Sequence, residues 1–342
     1  MTNKALKIND IIFGEITVSE PVIIDLINSK PFQRLKGIEC GGYARLYSNP
    51  QGLSLNNIKH SRYEHSVGVY YVLKKYGDSI EAQVSGLLHD VSHTAFSHGV
   101  DYILDEGCEK TQNFQDKHHE QIIKNSVIPD ILDKYKLNTE RIIHEANFPL
   151  LENDIPDVCA DRIDYIFRNA LIFRDYSKQE VDNLLEHLKV KDDKWYFSDV
   201  NHGQIFANLF KKMNDKYFSD PKAAILYRSI STIMRYAIDK GYLDRSDFFE
   251  DDKHVLDKIE DSLVKDQDLK KMYKMINDKG LYREASGENK DIEIYLKSRI
   301  VDPWVMDNDK LVRLSEVNEK WGKIVEEDLK PRRHYLEKIR NI

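Results

Sequence analysis

Apolar residues recur at helical spacing through much of the chain, most clearly around residues 85–98. Five of them would share one face of a helix: Ile80, Val84, Leu87, Leu88 and Val91. His89 and Asp90 stand side by side in this run, and His93 follows one helical turn after His89. The pattern therefore predicts one helix that carries three polar groups beside its buried face.

The same periodicity predicts a mostly α-helical protein with small β-hairpins. β-rich runs on both sides of Gly14 predict a hairpin over residues 8–18, and Asp192-Asp193 would turn a second hairpin over residues 190–197. Further helices are predicted over residues 25–36, 59–77, 96–104, 117–124, 138–147, 157–172, 201–217 and 221–240. Residues 43–60 and 107–116 lack a period and predict loops.

The composition changes beyond about residue 186, which predicts a first unit over residues 1–185 and an α-rich C-terminal lobe over residues 186–342. Near the C-terminus, four apolar residues form a short heptad rhythm: Leu314, Val317, Trp321 and Ile324. Asp328 breaks this rhythm early, so the sequence predicts a helix docked on its own domain rather than a coiled coil.

The 342 residues carry a formal net charge of −7. This balance argues against duplex nucleic acid as the main partner, because non-specific binding relies on many Lys and Arg contacts to phosphates. Cys40, Cys108 and Cys159 are widely spaced and predict free thiols in a reducing compartment. No run approaches the roughly 20 apolar residues of a membrane span, and the N-terminus lacks the apolar run of a signal peptide, so we expect a cytoplasmic protein without a membrane partner.

Histidines concentrate in one part of the chain. Seven of the twelve lie within sixty residues: His60, His65, His89, His93, His98, His118 and His119. Uniform scatter would place about two there, and clusters of His and Asp indicate metal or catalytic sites. The alternative is that these are ordinary core histidines. For a lone His-Asp pair we would favour that interpretation. A buried imidazole beside a buried carboxylate is costly, however, and a divalent cation would compensate both groups.

The predicted helix over residues 157–172 carries further polar residues. They form two adjacent rows, Asp161, Asp164, Tyr165 and Arg168 in one, and Arg162, Tyr165 and Asn169 in the other. A polar stripe is usually a solvated face, and for Asp164 and Arg168 solvation and burial stay equally open. Apolar residues spread around much of this helix, which favours a buried Asp161.

The order His65, His89-Asp90 and Asp161 resembles the H…HD…D pattern of the HD-domain metal-dependent phosphohydrolases. The likeness is greatest to the deoxynucleoside triphosphate triphosphohydrolase branch, over residues 8–170. Its matching segments are Phe32–Leu35, Gly41–Tyr43, His60–Gly68, Leu88–His93, Phe96–His98, His119–Gln121 and Asp161–Tyr165. The resemblance implies an HD-domain helical bundle for residues 1–185.

The resemblance also implies roles for individual residues. The implied metal ligands are His65, His89, Asp90 and Asp161. Three histidines would surround the scissile phosphate: His93, His98 and His119. Asp101 would orient His98. The implied substrate contacts are Arg62 and Arg162 to phosphates, Tyr165 beside the sugar, and Asn169. The implied cofactor is one divalent cation, either Mg or a transition metal such as Fe, Mn, Co, Ni or Zn.

Departures from the family pattern concern the substrate site. Asn169 replaces an Asp that reads the sugar 3′-hydroxyl in the deoxynucleotide enzymes, and Cys40 lies in a remodelled segment beneath a longer loop between Tyr43 and His60. These changes predict a looser sugar site. His118 beside His119 is similar to the paired histidines of two-metal HD enzymes, but the rest of that signature is missing, so one metal is predicted.

Motif order and histidine clustering together predict an enzyme that hydrolyses phosphoester bonds of a nucleotide, above all a (d)NTP triphosphohydrolase. A phosphomonoesterase acting on nucleoside monophosphates is the second hypothesis. A nucleotide-binding protein with a vestigial site would be expected to have lost a ligand. A nuclease acting on short single strands is disfavoured by the negative charge and by the lack of a basic-aromatic stripe. Assembly into a homo-oligomer stays open.

Overall fold

The structure is a computed structural model that describes residues 5–41, 60–278 and 280–339. The predicted loop over residues 43–60 lies outside the described residues except for His60. The helices of the described residues are α1 (Pro21–Ile27), α2 (Lys30–Arg34), α3 (Arg62–Lys75), α4 (Ile80–Leu88), α5 (Val100–Ile103), α6 (Phe114–Lys124), α7 (Ile128–Lys134), α8 (Thr139–Ile142), α9 (Ala160–Ile172), α10 (Lys178–His187), α11 (Val200–Met213), α12 (Pro221–Asp239), α13 (Asp252–Ser262), α14 (Gln267–Asp278), α15 (Leu314–Val317) and α16 (Glu319–Asp328).

Short strands complete the described fold. They are β1 (Leu6–Asp10), β2 (Gly14–Val18), β3 (Leu188–Lys191), β4 (Lys194–Phe197), β5 (Tyr282–Glu284), β6 (Ile292–Leu296), β7 (Trp304–Asp307), β8 (Lys310–Arg313) and β9 (Arg332–Lys338). β1 and β2 form a hairpin, β3-β4-β7-β8 form a second sheet in which β4 and β7 are parallel, and β5-β9-β6 form a third.

The prediction of a mostly α-helical protein is confirmed, since 54% of the structure is helical. Both predicted hairpins form, and Asp192 and Asp193 turn the second one with φ angles of 50° and 53°. The predicted α-rich C-terminal lobe contains, besides its helices and the predicted hairpin, the strands β5 to β9, which were not predicted. The hydrophobic pattern did not indicate these strands because many of their outward-facing positions are charged. In β9, for example, Leu336 is the fully buried residue.

The central helix is shorter than predicted. α4 ends at Leu88, and the following residues form turns in which the His93 N–H donates to the Asp90 carbonyl at 3.0 Å. The prediction of one helix that carries His89, Asp90 and His93 is therefore wrong. The His89 ring donates to the Gly86 carbonyl at 2.8 Å, which satisfies an acceptor in the last helical turn and favours ending the helix there.

Other predicted helices are divided as well. Residues 25–36 form parts of α1 and α2, and residues 138–147 form α8 and a 3₁₀ turn. Residues 96–104 form a 3₁₀ turn followed by α5. Phe96 and Ser97 have φ angles of 61° and 47°, in the left-handed region, so no continuous helix passes through them.

The predicted active-site helices share one core. α3 packs against α4 and α9, and Gly86 permits the close approach of α4, because a Cβ atom there would lie 2.5 Å from Leu73 Cδ1. Leu314 and Trp321 dock α15 and α16 on the same core, which confirms the predicted docking but with two helices in place of one. No helix among the described residues is long and apolar enough to cross a membrane. The domain boundary near residue 185 stays a proposal.

Candidate metal centre and active-site cavity

Four side chains from three parts of the fold converge. α3 provides His65, the turn after α4 provides His89 and Asp90, and α9 provides Asp161. His65 Nε2 lies 2.8 Å from Asp161 Oδ1 and 3.2 Å from His89 Nε2. His89 Nε2 lies 3.5 Å from Asp90 Oδ1 and 3.6 Å from Asp161 Oδ1. The structure thus brings together the four side chains that the sequence analysis singled out as metal ligands.

Local sequence determines where these side chains stand. Ser61 caps α3, and its N–H donates to the Glu64 carboxylate at 3.0 Å, which starts the helix one turn before His65. Gly68 allows α9 to approach α3, because a Cβ atom there would collide with the Asp164 carboxylate. Asp161 lies in the first turn of α9, where the helix dipole favours a negative charge.

The Nδ1 atoms of both imidazoles are engaged outside this cluster. His65 Nδ1 lies 2.7 Å from Asp164 Oδ2, and His89 Nδ1 lies 2.8 Å from the Gly86 carbonyl oxygen. A carboxylate and a carbonyl only accept hydrogen bonds, so each neutral imidazole carries its proton on Nδ1. In that neutral form both Nε2 lone pairs point into the cluster, where a cation can take the place of the Nε2 protons.

Asp164 and Arg168 are buried, so the solvated reading of these two residues is wrong. Their side chains are 0% and 2% exposed. The Arg168 guanidinium donates to Asp164 at 2.8 and 2.9 Å and to Asp10 of β1 at 2.7 Å. Charge-assisted hydrogen bonds thus connect the N-terminal hairpin to the His65 ring. A polar row on a helix does not show which segment of the chain covers it. The sequence alone therefore left the burial of Asp164 and Arg168 open.

We expect Asp164→Asn to weaken metal binding about 10- to 100-fold, the usual cost of changing the hydrogen-bond partner of a metal-bound imidazole. The amide keeps the shape of the carboxylate but no longer strengthens the basicity of His65. Calorimetric metal titration measures the change. Asp247→Asn is the matched control, because Asp247 also contacts an imidazole, that of His254, but lies outside the cavity. Equal affinities of the two variants would contradict the assigned role.

The charges of the cluster fit a divalent cation. Burial would raise the pKa of the Asp161 carboxyl, but the imidazoles of His65 and His89 outweigh burial and hold it well below its ordinary value. Burial would lower the pKa of His89, but Asp90 and Asp161 outweigh burial and raise it to about 10. The cluster therefore attracts positive charge, and two imidazoles with two carboxylates are a suitable ligand set for a borderline divalent metal.

The cluster opens into a cavity of 450 Å³. Ten of the predicted site residues line it: Arg62, His65, His89, Asp90, His93, His98, Asp161, Arg162, Tyr165 and Asn169. Asp101 and His119 lie behind this lining. Asp101 Oδ2 is 3.8 Å from His98 Nδ1, and His119 Nδ1 is 3.0 Å from Ser92 Oγ.

Two neutral imidazoles stand next to the ligand cluster. His93 Nε2 lies 3.3 Å from Asp90 Oδ1, and the His93 and His98 rings meet edge to face with centroids 5.1 Å apart. Burial, reinforced by the charge of Arg62, lowers the pKa of His93 to about 3. Burial and the nearby His93 hold the pKa of His98 well below its ordinary value. The catalytic roles of these histidines, of Asp101 and of His119 stay predictions.

The two predicted phosphate-binding arginines reach the cavity while paired to carboxylates. Arg62 Nη1 lies 2.9 Å from Asp90 Oδ2, which leaves Asp90 Oδ1 facing His89. Arg162 Nη2 lies 3.1 Å from Glu152 Oε1. Their contacts to phosphate stay predictions, as do the sugar contacts of Tyr165 and Asn169.

The cavity also contains charged residues that the sequence analysis missed: Glu145, Glu152, Lys297 and Arg299. Burial raises the pKa of Glu145 to about 8 and that of Glu152 to about 7. Glu145 lies in the 3₁₀ turn after α8 and Glu152 in the segment before α9, and neither belongs to a motif that the sequence analysis recognised. Lys297 and Arg299 follow β6, where the alternation of charged and buried residues was the available signal.

Comparisons with known proteins agree with this site. Residues 62–169 match the HD domain family. The chain is 32% identical to the uncharacterized protein YdhJ of Bacillus subtilis, over 94% of this chain and 95% of that protein. It is 33% identical to the metal-dependent phosphohydrolase cns2 of Cordyceps militaris, over 55% and 52% of the two chains. It is 26% identical to the deoxynucleoside triphosphate triphosphohydrolase SAMHD1 homolog of Dictyostelium discoideum, over 81% and 59%.

The HD domain and the similarity to a metal-dependent phosphohydrolase identify the protein as a hydrolase. The chain belongs to the HD-domain family of metal-dependent phosphohydrolases.

Proposed function

We propose that the protein hydrolyses nucleoside triphosphates to nucleoside and tripolyphosphate. One observation carries the proposal: the ligand cluster, three arginines and an aromatic wall share a single cavity. The wall consists of Tyr165, Phe173, Tyr217 and Phe218. Guanidinium groups suit phosphates, and aromatic faces suit a nucleobase. The similarity to the Dictyostelium triphosphohydrolase supports the same class of substrate.

The roles of the ligands follow from their contacts. His65, His89, Asp90 and Asp161 would hold the divalent cation, which supplies the Lewis acidity that activates a water and polarises a phosphoryl oxygen. Arg62 holds Asp90 through Oδ2, so that Oδ1 stays directed at the cluster.

Other side chains bind the substrate and move the proton. Arg162, which lines the same cavity, neutralises phosphate oxygens. His98 protonates the departing 5′-oxygen of the nucleoside, and the Asp101 carboxylate, 3.8 Å from its ring, stabilises the imidazolium form. The buried surroundings exclude bulk water from these steps.

Product analysis tests the proposal. Metal-loaded protein is incubated with the mono-, di- and triphosphates of adenosine and guanosine and with their 2′-deoxy forms. We expect tripolyphosphate and nucleoside from the triphosphates alone. Orthophosphate released from the monophosphates would instead identify a phosphomonoesterase.

We expect the enzyme to accept ribonucleotides as well as deoxyribonucleotides. Asn169, 6% exposed, reaches the cavity with an amide where the deoxynucleotide enzymes have a carboxylate, and Cys40 lines the same cavity. A pocket that merely tolerates a hydroxyl discriminates weakly, so the kcat/KM values for ATP and dATP should lie within about two orders of magnitude. Steady-state kinetics with one metal provide the measurement.

GTP and dGTP form the second pair for this comparison. The same ratio in both pairs would assign the tolerance to the sugar site rather than to the base. A preference for the deoxy forms well beyond two orders of magnitude would show that a residue other than Asn169 excludes the 2′-hydroxyl.

A further inference from the structure

We propose that Lys297 and Arg299 bind phosphates of an oligophosphate chain other than the scissile one. The inference rests on the triphosphate substrate proposed above and deepens it, because it assigns a subsite that distinguishes a triphosphate from a monophosphate. None of the HD motifs includes these two residues, which belong to the segment that follows β6.

The segment that follows β6 is held firmly against the rest of the fold. The Arg299 N–H donates to Asn214 Oδ1 at 2.9 Å, and Asn214 Nδ2 donates to the Ser298 hydroxyl at 3.0 Å. Ser298 and Ile300 are buried, whereas Lys297 and Arg299 line the cavity. Because burial alternates along this segment, the side chains of Lys297 and Arg299 lie on the same side of it.

These two cations lack carboxylate partners among the described residues. The Lys297 ammonium forms no ion pair or hydrogen bond there, and Arg299 donates only to neutral groups, the Gln112 side chain at 2.9 Å and the Lys297 carbonyl at 3.3 Å. Burial, together with the charges of Arg299 and Arg162, lowers the pKa of Lys297. Half-buried positive charges without compensation are costly, and an anionic ligand would remove that cost.

The position of the pair matches the tail of a substrate rather than the scissile phosphate. From the ligand cluster the cavity wall runs through His93, 3.3 Å from Asp90, to His98, whose ring centroid is 5.1 Å from that of His93. Arg299 and Lys297 line the same cavity but form no hydrogen bond or ion pair with the ligand cluster among the described residues. A phosphate held at the metal ligands therefore leaves these cations to other phosphates of the chain.

Nearby acids form no ion pair with these two cations among the described residues. Glu152 pairs with Arg162 and not with Lys297 or Arg299. Asp116 also acts on Lys297, but the two side chains lie beyond ion-pair distance. Burial raises the pKa of Glu145 to about 8, so this carboxyl is mostly protonated at neutral pH. The two cations therefore remain available to an anion.

The test compares binding of inorganic tripolyphosphate and orthophosphate to the metal-loaded full chain in excess Mg²⁺, by calorimetry. Lys297→Met and Arg299→Gln should each weaken tripolyphosphate binding about 10- to 100-fold, the effect of losing a charged hydrogen bond, with orthophosphate affinity and metal content unchanged. Lys297→Arg should restore tripolyphosphate binding.

Lys290→Gln is the matched control, because it removes one positive charge just before β6, where Lys290 pairs with Glu293 outside the cavity. Unchanged tripolyphosphate affinity in both Lys297→Met and Arg299→Gln would overturn the inference, and so would equal losses for tripolyphosphate and orthophosphate. Selective loss of tripolyphosphate binding in a protein that hydrolyses no nucleoside triphosphate would uphold the subsite and refute the proposed function.

Discussion

Replacing His65 with alanine is expected to remove the bound metal and to lower turnover by about 10³-fold or more. The His65 Nε2 atom lies within 3.7 Å of the carboxylates of both Asp90 and Asp161, so alanine deletes the central donor of the cluster. Metal catalysis contributes several kcal/mol, and about 1.4 kcal/mol corresponds to a tenfold change in rate. Elemental analysis measures the metal, and steady-state kinetics measure the turnover. Asp90→Ala should give the same result.

His187→Ala is the matched control for this experiment. His187 lies with Asp199 and His202 in another group of potential ligands, away from the cavity lining. This variant should keep both metal and turnover. The helices around His65 pack through a large apolar core, so circular dichroism should show an intact fold in His65→Ala. Full metal content in His65→Ala would exclude His65 from the ligand set.

Replacing His98 with alanine is expected to leave the metal in place and to lower turnover by about 10²- to 10⁴-fold, the range for loss of a general acid. His98 lines the cavity outside the ligand cluster. Its imidazole is neutral in the free protein, and an arriving oligophosphate favours the protonated form, which then donates to the leaving oxygen. Turnover and metal content are measured on the same preparation. His119→Ala is expected to fall in the same range.

His118→Ala provides the control for these two variants. The His118 ring packs against Phe114 and Phe249 and does not line the cavity. Its replacement should leave turnover close to that of the unmodified protein. Near-normal turnover in both His98→Ala and His119→Ala would show that neither imidazole handles the leaving group. Loss of metal from His98→Ala would place His98 among the ligands.

The clustering of the four candidate metal ligands could be predicted because their chemistry is local. His89 and Asp90 are adjacent in the sequence, and motif order points to His65 and Asp161 on separate helices. The structure places all four side chains together. Helical periodicity also identified α3 and α9, whose apolar residues face a common core.

The exact end of α4 could not be predicted from periodicity. The apolar pattern continues to Val91, but the His89 ring donates to the Gly86 carbonyl and the chain leaves the helix. The pattern of hydrophobic residues records which side chains are buried. It does not record a side chain that competes for a backbone acceptor.

The burial of Asp164 and Arg168 depended on a segment far away in sequence. Their partner Asp10 precedes Arg168 by 158 residues, and nothing in the α9 sequence indicates that the hairpin covers this face. Lys297 and Arg299 reach the cavity by a similarly long-range contact. Such contacts arise from tertiary packing and escape any reading of local pattern.

The cavity is assembled from parts of the chain that can diverge separately. The match to the HD domain family spans residues 62–169 and includes all four candidate metal ligands, whereas Lys297 and Arg299 lie far beyond it. Related proteins can therefore keep one hydrolytic centre while the segment that carries Lys297 and Arg299 changes. We expect substitutions in this segment to change which substrates are accepted, and the ligand cluster to change far more slowly.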